Sequence, residues 1–208
     1  AAADSVIVGD WNNDGVDTFA LRTGNKYTFL ATNRVDSVAT TATLGGGSDA
    51  VVAGDFNGDG YDDLAIRTAG TNTFGIHLSA DGTFSDTVDS TVDFGRVDDV
   101  ALAGDWDGDG KDSLGVRRGA AFHLRNELAG GLADVGFTYG RVTDVPLVGD
   151  FDGDGADSVA VARDARVFVK NDLTGGAAAS ELVFGRASDE RVVGDFFGTG
   201  TDTLAIVR

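Results

Sequence analysis

The sequence predicts an all-β protein, a β-propeller of about five blades in which four blades have four strands and the last has two. An aspartate- and glycine-rich segment recurs five times, and its first aspartates are 45, 50, 45 and 45 residues apart. Each complete interval holds four short apolar runs between turn residues, which is typical of strands. None of the runs keeps the spacing of apolar residues that an amphipathic helix requires. A repeat of this length with four strands is typical of one propeller blade.

The repeat divides the chain into five units within one predicted domain, residues 1–208. The units cover approximately residues 4–48, 49–98, 99–143, 144–188 and 189–208. In the third unit the predicted strands are residues 99–103, 113–117, 122–126 and 135–139. The fifth unit is long enough for the first two strands only, which leaves an open edge. The alternative is that the chain is a fragment of a larger propeller.

The composition argues against several classes of partner. Hydrophobic residues make up 42% of the chain, which is enough for a packed core. Acidic residues outnumber basic ones by 34 to 16, which gives a net charge of −18. This charge argues against nucleic acid, whose phosphates favour Lys and Arg, and against an anionic membrane surface. No apolar run approaches the length that membrane insertion requires.

Four of the acidic segments have the ligand pattern of a calcium-binding loop. Calcium takes six to eight oxygen ligands, and alternate side chains of a tight loop converge on one ion when a glycine permits the turn. Oxygen-bearing side chains occupy loop positions 1, 3 and 5, and glycine occupies position 6. The predicted side-chain ligands are Asp10, Asn12 and Asp14; Asp55, Asn57 and Asp59; Asp105, Asp107 and Asp109; and Asp150, Asp152 and Asp154. The predicted backbone carbonyl ligands, at position 7, are Val16, Tyr61, Lys111 and Ala156. The sequence thus predicts about four Ca²⁺ ions.

These loops differ from an EF-hand at position 12, where an EF-hand has a bidentate glutamate. The residues here are Leu21, Ile66, Val116 and Val161. Loss of that ligand predicts a weaker affinity, suited to extracellular calcium, and ligation by oxygen alone argues against zinc or copper. The alternative is that Asp, Asn and Gly simply form a good turn. We favour the metal hypothesis because three alternating acidic or amide groups repel one another without a cation, and the pattern occurs four times.

The fifth loop separates ligands from structural residues. It has Phe197 and Thr199 at positions 3 and 5, so we expect it to bind calcium poorly, yet it keeps Asp195. Position 8 is aspartate in all five units, as Asp17, Asp62, Asp112, Asp157 and Asp202. Because these residues persist where the metal pattern is lost, we expect them to accept hydrogen bonds from backbone N–H groups.

The segment at residues 55–64, DFNGDGYDDL, resembles the FG-GAP (VCBS) repeat of integrin α-chains and secreted bacterial proteins. The name-giving pair is present as Phe94-Gly95 and Phe184-Gly185, with Tyr139-Gly140 as a variant. The resemblance implies a propeller with metal loops between the first and second strands of each blade. It also implies a ligand aspartate at loop position 9, which only Asp63 supplies. The other three loops have Thr18, Ser113 and Ser158 there.

Further residues suggest binding or catalysis but have simpler interpretations. Loop position 2 is always aromatic, as Trp11, Phe56, Trp106, Phe151 and Phe196. These rings would stack on sugars or pack between blades, and we favour packing because large aromatic side chains are mostly buried. Arg96, Arg141 and Arg186 are expected to pair with the repeated aspartates. His77 and His123 have no matching acid or nucleophile pattern nearby, so no catalytic site is predicted.

The predicted function is a secreted or cell-surface, calcium-stabilised recognition module without enzymatic activity. The first hypothesis for its ligand is a carbohydrate or cell-wall glycan, which would make the protein lectin-like. The alternative is an extracellular protein, bound in adhesion or assembly through the open last blade. A third hypothesis is an enzyme whose calcium is structural. The fold does not choose among these hypotheses, and the oligomeric state is left open.

Overall fold

The computed structural model describes residues 4–34 and 36–208, and the regular secondary structure in these residues is entirely β. Four antiparallel sheets have four strands each, and two further sheets have two strands each. The described residues contain no helix of the length and apolar character that a membrane crossing needs. The prediction of an all-β propeller with a short last blade is confirmed.

Each complete blade is a meander of strands that runs outward from the centre of the ring. Blade one contains β1 (Ser5–Gly9), β2 (Thr18–Thr23), β3 (Lys26–Leu30) and β4 (Val38–Thr43). Blade two contains β5 (Ala50–Gly54), β6 (Asp63–Arg67), β7 (Thr73–His77) and β10 (Ser90–Asp93). Blade three contains β11 (Val100–Gly104), β12 (Ser113–Arg118), β13 (Ala121–Leu124) and β14 (Val135–Thr138). Blade four contains β15 (Val145–Gly149), β16 (Ser158–Arg163), β17 (Arg166–Lys170) and β18 (Ser180–Val183). Blade five has only β19 (Glu190–Gly194) and β20 (Thr203–Val207).

Unit two is five residues longer than the others because it carries an extra hairpin that the sequence did not predict. This hairpin consists of β8 (Ser79–Ala80) and β9 (Thr83–Phe84). The Phe84 ring stacks on Phe29 of blade one at 4.8 Å between centroids, and it meets Trp11 edge-on at 6.3 Å. The insertion therefore extends the core between blades one and two.

The hydrophobic core is divided among the junctions between neighbouring blades. Trp11 of blade one packs in one cluster with Leu64 and Ile66 of blade two. Phe56 of blade two packs in the same way with residues of blade three, Leu114 and Val116. The loop position-2 aromatic ring of one blade thus covers the second strand of the next blade. The inner strands of all five blades surround an apolar cavity of about 230 Å³.

Blade five lies directly against blade one, so the five units form a ring. Strand β19 contacts both β15 and β1. The N–H group of Asp17 donates to the carbonyl oxygen of Asp195 at 3.0 Å, and the rings of Phe19 and Phe196 are 5.5 Å apart. These contacts leave no room for another blade between the two ends, which argues against the alternative of a fragment of a larger propeller.

Candidate metal centres

The five acidic loops join the first strand to the second strand of every blade. Loop one, for example, lies between β1 and β2, which pair as far as Gly9 and Thr18. The glycines at position 6 of the four candidate loops have left-handed backbone angles, with φ of 78° at Gly15, 88° at Gly60, 82° at Gly110 and 89° at Gly155. Residues with a Cβ rarely adopt such angles, so glycine is needed for this turn.

The aspartate at position 1 holds the turn together from inside. In loop three, one oxygen of Asp105 accepts hydrogen bonds from the N–H groups of Gly108 and Asp109, at 2.8 and 3.1 Å. Its other oxygen accepts from Gly110 N–H at 2.8 Å. Loop five keeps the same bonds, because Asp195 accepts from Thr199 N–H at 2.9 Å and from Gly200 N–H at 2.6 Å. The persistence of Asp195 in loop five therefore has a structural cause.

In loops three and four, three carboxylates converge on one place. The carboxylate oxygens of Asp105, Asp107 and Asp109 lie within 4.8 Å of one another. Those of Asp150, Asp152 and Asp154 do the same. The donor set is all oxygen, as Ca²⁺ requires, and the surrounding loop is tight and glycine-rich. Three like charges at this separation repel one another, so the geometry suits a cation.

Loops one and two relieve this repulsion with an amide. The Asn12 side chain donates to Oδ2 of Asp14 at 3.1 Å, and that of Asn57 donates to Oδ2 of Asp59 at 2.9 Å. An amide oxygen also serves as a calcium ligand, so all four donor sets fit the ion. The difference is that loops one and two carry one fewer negative charge and contain a hydrogen bond that stabilises them without a cation.

The predicted carbonyl ligands at position 7 follow directly on the position-5 carboxylates and are tied to them. The N–H groups of Val16, Tyr61, Lys111 and Ala156 donate to Asp14, Asp59, Asp109 and Asp154 at 3.0, 2.9, 2.9 and 3.0 Å. This repeated bond gives the second half of each loop the same path in all four units.

Asp63, the predicted ninth-position ligand of loop two, is fully buried. Its Oδ1 accepts from Ser79 N–H at 2.6 Å and its Oδ2 accepts from Phe56 N–H at 3.1 Å. Burial, together with the charges of Asp55 and Asp59, raises the pKa of this carboxyl to about 7. The side chain thus ties the loop to the hairpin insertion of unit two, and its place in a calcium shell stays a prediction.

The aspartates at position 8 connect neighbouring blades. Asp112 of blade three accepts a hydrogen bond from the N–H of Asp55 in blade two at 2.7 Å, and its own N–H donates to the Asp55 carbonyl oxygen at 2.9 Å. The same reciprocal pair joins each blade to the next around the ring. The remaining pairs are Asp62 with Asp10, Asp157 with Asp105, Asp202 with Asp150 and Asp17 with Asp195. The predicted bond to backbone N–H groups is present, but it crosses between blades.

Burial governs the electrostatics of these connecting aspartates. It raises the pKa of Asp17 to about 6, and the pKa of Asp112 and of Asp202 to about 7. Burial also raises the pKa of Asp62 and of Asp157 well above the usual range, with neighbouring position-8 carboxylates adding to the effect. The five aspartates therefore form a ring of mutually repelling groups, each bound to a backbone N–H of the adjacent blade.

The aromatic residues and arginines singled out in the sequence contact other parts of the protein. Trp11, Phe56 and Trp106 are only 2%, 5% and 4% exposed, so their rings pack between blades and offer no face to a sugar. Arg96, Arg141 and Arg186 meet the repeated aspartates through their backbone N–H groups, which donate to Asp99, Asp144 and Asp189 at 2.8 Å, whereas the ion pairs with these aspartates are formed by other arginines. The observed bidentate pairs are Arg118 with Asp99, Arg163 with Asp144 and Arg208 with Asp189.

Comparison with known proteins agrees with this architecture. Residues 46–82, which hold the second acidic loop, match the model of the FG-GAP repeat. This segment matches an FG-GAP repeat, and it lies within a five-unit propeller. The match covers the unit whose loop follows the family pattern most closely, and the other loops repeat its geometry around the ring.

Two solved structures are similar to this chain. A Photorhabdus luminescens Tc holotoxin pore matches 98% of the chain with a TM-score of 0.54 and 14% sequence identity, and the match covers 11% of the toxin chain. A lectin from Agrocybe aegerita, described with non-reducing terminal N-acetylglucosamine, matches 96% of the chain and 73% of its own length. Its TM-score is 0.43 and its identity is 13%. No curated protein matches the sequence. The similarity to the toxin pore supports the propeller fold, and this chain spans only a small part of the toxin chain.

Proposed function

We propose that this propeller is built of FG-GAP repeats throughout and is a calcium-stabilised recognition module that acts outside the cell and has no enzymatic activity. The observation that carries the proposal is the convergence of Asp105, Asp107 and Asp109 in one exposed loop, with the same arrangement at Asp150, Asp152 and Asp154. Folding brings these like charges together at an electrostatic cost, and a bound Ca²⁺ ion offsets that cost.

Calcium adds stability by mass action because the unfolded chain does not hold the ligands together. A site filled at about 100 times its Kd contributes about 2.7 kcal/mol. Four ions, each with two positive charges, reduce the formal net charge from −18 to −10. The missing twelfth ligand weakens each site to a range suited to the millimolar calcium of the cell exterior.

Calorimetric titration of the chelator-treated chain with CaCl₂ tests the calcium part of the proposal. We expect about four ions to bind, and we expect the melting temperature to fall when EDTA is added and to recover with excess calcium. Magnesium serves as the control, since it fits a site of this size poorly and is expected to restore less of the melting temperature. No binding heat together with an unchanged melting temperature in EDTA would contradict the proposal.

Two classes of ligand fit a recognition module of this kind. A carbohydrate or cell-wall glycan is the first, and it must bind away from Trp11, Phe56 and Trp106, because these three rings are buried. A glycan array at saturating calcium tests it, and an array without binding would remove it. An extracellular protein, bound in adhesion or assembly, is the second candidate.

A further inference from the structure

A pocket lies between blades three and four, both of which are complete, with four strands each. It has a volume of about 290 Å³. Strand β16 begins at Ser158, next to its acidic loop, and ends at Arg163, which lines the pocket. At about 3.3 Å per residue, this strand separates the pocket from the metal loops by about 17 Å. We call this space the arginine pocket, defined by Tyr139, Arg141, Arg163, Phe168, Gly176 and Ala178.

The arginine pocket carries positive charge in an otherwise acidic protein. Arg163 donates from Nε and Nη2 to the two carboxylate oxygens of Asp144, at 2.7 and 2.6 Å, and that carboxylate is fully buried. Arg117, which is 3% exposed, donates to the backbone carbonyl oxygens of Asp144 and Arg141. With the exposed Asp164, whose charge also acts on Arg163, these three arginines and two aspartates have a net charge of +1. The whole chain has −18, so this corner favours an anionic ligand.

Two guanidinium groups of the pocket have donors left for a ligand. The carboxylate of Asp144 occupies Nε and Nη2 of Arg163, so Nη1 has no partner among the described residues, and the side chain is 25% exposed. Arg141 uses only its backbone here, because its N–H donates to Asp144 and its carbonyl oxygen accepts from Arg117. The side chain of Arg141 is exposed and has no partner in the described part of the chain. A planar guanidinium with free N–H groups matches the two oxygens of a carboxylate.

Two aromatic residues form another side of the pocket. The Tyr139 hydroxyl donates to the carbonyl oxygen of Phe168 at 3.2 Å, which fixes the hydroxyl and leaves its oxygen free to accept a hydrogen bond. The ring of Phe168 is half-buried, and the guanidinium carbon of Arg163 lies 4.8 Å from its centroid. Gly176 and Ala178 add no large side chain, so the space beside these rings stays open. A space of this size with a few fixed polar groups fits one small polar molecule.

The junction between blades two and three shows what is particular to the arginine pocket. Arg96 and Arg118 occupy the positions of Arg141 and Arg163 there, so the pair of arginines is repeated. The place of Tyr139 is taken by a phenylalanine, as it is at the end of unit four, so the hydroxyl is absent from both. The arginine pocket therefore combines a repeated anion-binding pair with a hydroxyl that unit three alone supplies at this position.

The groups of the pocket favour an acidic sugar over a simple anion. A free inorganic anion or a simple carboxylate would use the guanidinium groups and leave the Tyr139 oxygen and the Phe168 ring without a role. A uronic acid has one carboxylate, several hydroxyl groups and an apolar ring face, and each of these has a counterpart in the pocket. The charge of −18 opposes a polyanion at long range, so short contacts with a single carboxylate must supply the affinity.

We propose that the arginine pocket binds a uronic acid residue of a glycan. The sugar carboxylate accepts hydrogen bonds from the guanidinium of Arg141 and from Nη1 of Arg163. The sugar ring lies against Phe168, and one of its hydroxyl groups donates to the Tyr139 oxygen. This inference rests on the proposed recognition function and narrows its glycan to an acidic one. It places the site at the end of the blades away from the acidic loops, so calcium does not contact the sugar.

The test titrates the calcium-saturated 208-residue chain with the methyl glycosides of glucuronic acid and galacturonic acid. We expect one of the two to bind with one-to-one stoichiometry in calorimetry and a Kd of about 1 mM, as suits a ligand of this size. The amide NMR signals of Arg141 and Gly176 are expected to shift. The neutral methyl glucoside and galactoside are the matched probes, and they are expected to bind at least about tenfold more weakly, because they lack the carboxylate.

Two arginine variants locate the binding site. Arg141→Ala removes an exposed side chain and keeps the backbone bonds of this residue, so the chain is expected to fold and its affinity for the uronide to fall at least about tenfold. Arg34→Ala is the control, since this arginine is also exposed, lies in blade one and carries the same charge. The control is expected to bind the uronide as the parent chain does. The circular dichroism spectrum of each variant verifies that it is folded.

Tyr139→Phe tests the sugar hydroxyl separately from the carboxylate. Phenylalanine already occupies this position as Phe94 and Phe184, so the variant is expected to fold. Its affinity for the uronide is expected to fall about two- to tenfold, because one hydrogen bond is lost. Sodium acetate, which has only the carboxylate, is expected to bind the parent chain more weakly than the uronide and to bind this variant equally well.

Three outcomes would overturn the inference. These are no binding of either uronide at about 10 mM, ten times the expected Kd; equal losses for Arg141→Ala and Arg34→Ala, which assign the effect to overall charge; and acetate binding as tight as uronide binding, which leaves a site for simple anions. Calcium titration and the glycan array report independently on the proposed function. A failure of uronide binding in a chain that binds calcium and neutral glycans therefore contradicts the pocket alone.

Discussion

The carboxylate of Asp17 accepts a hydrogen bond from the backbone N–H of Asp195, a residue 178 positions later in the chain, at 2.7 Å. The Asp17 N–H returns a bond to the Asp195 carbonyl oxygen at 3.0 Å. The same pair of bonds joins every other blade to its neighbour, but here it joins the last blade to the first. Closure of the ring therefore uses the same device as its interior junctions.

Asp17→Ala is expected to destabilise the protein by about 1–3 kcal/mol, because it leaves the Asp195 N–H without its acceptor in a partly buried place. For a chain of this size, each kcal/mol lowers the melting temperature by about 2–4 °C. Thermal unfolding followed by circular dichroism measures the loss. Asp17→Asn is the matched control, since its amide oxygen still accepts the bond, and it is expected to lose less. Equal losses for the two variants would show that the hydrogen bond is not the cause.

Asp107→Ala and Asp202→Ala are expected to affect different properties. Asp107 belongs to the carboxylate cluster of loop three, whereas Asp202 binds the backbone N–H of Asp150 in the neighbouring blade. Asp107→Ala is expected to remove one calcium ion from the calorimetric stoichiometry and to leave the melting temperature in EDTA nearly unchanged. Asp202→Ala is expected to lower the melting temperature in EDTA and to leave the stoichiometry unchanged. Equal effects on calcium binding would contradict the separation of ligand from connecting aspartates.

The fifth loop is expected to gain a calcium site from two substitutions, Phe197→Asp and Thr199→Asp. Asp195 and Gly200 already hold its turn, as the equivalent residues do in the other loops. Phe197 is 74% exposed, so its replacement costs little packing. Calorimetry is expected to show one additional ion, and Phe197→Asp alone serves as the control, with a weaker site or none. An unchanged stoichiometry for the double variant would mean that positions 3 and 5 do not decide binding.

Trp106→Phe is expected to lower the stability of the protein less than Trp11→Phe does. Both tryptophans are buried, and phenylalanine already occupies the same loop position in units two, four and five. The indole N–H of Trp11 donates to the Thr18 carbonyl oxygen at 3.2 Å, whereas that of Trp106 has no partner among the described residues. Trp11→Phe therefore loses a hydrogen bond of about 1 kcal/mol in addition to packing. Urea unfolding of both variants compares the losses, and a greater loss for Trp106→Phe would contradict this account.

The repeat made much of the fold predictable. The predicted strands of the third unit agree with β11 to β14 to within two residues at each end, since β-branched and apolar runs bounded by glycine mark them locally. The hairpin of β8 and β9 was missed because its four strand residues are too few to show a pattern, and it is fixed by the packing of Phe84 on Phe29. The ion pairs with the repeated aspartates were assigned to Arg96, Arg141 and Arg186, which are near in sequence, whereas the guanidinium groups that pair belong to arginines at or just after the end of the adjacent strand.

The sequence by itself determined the period, the strand content, the short last blade and the positions of the acidic loops. These features depend on residues that are close in the chain, such as alternating oxygen ligands before a glycine. Tertiary structure decided that position-8 aspartates bind the neighbouring blade and that Trp11, Phe56 and Trp106 at position 2 are buried. Those features depend on contacts between blades, up to 178 residues apart, which the local pattern does not specify.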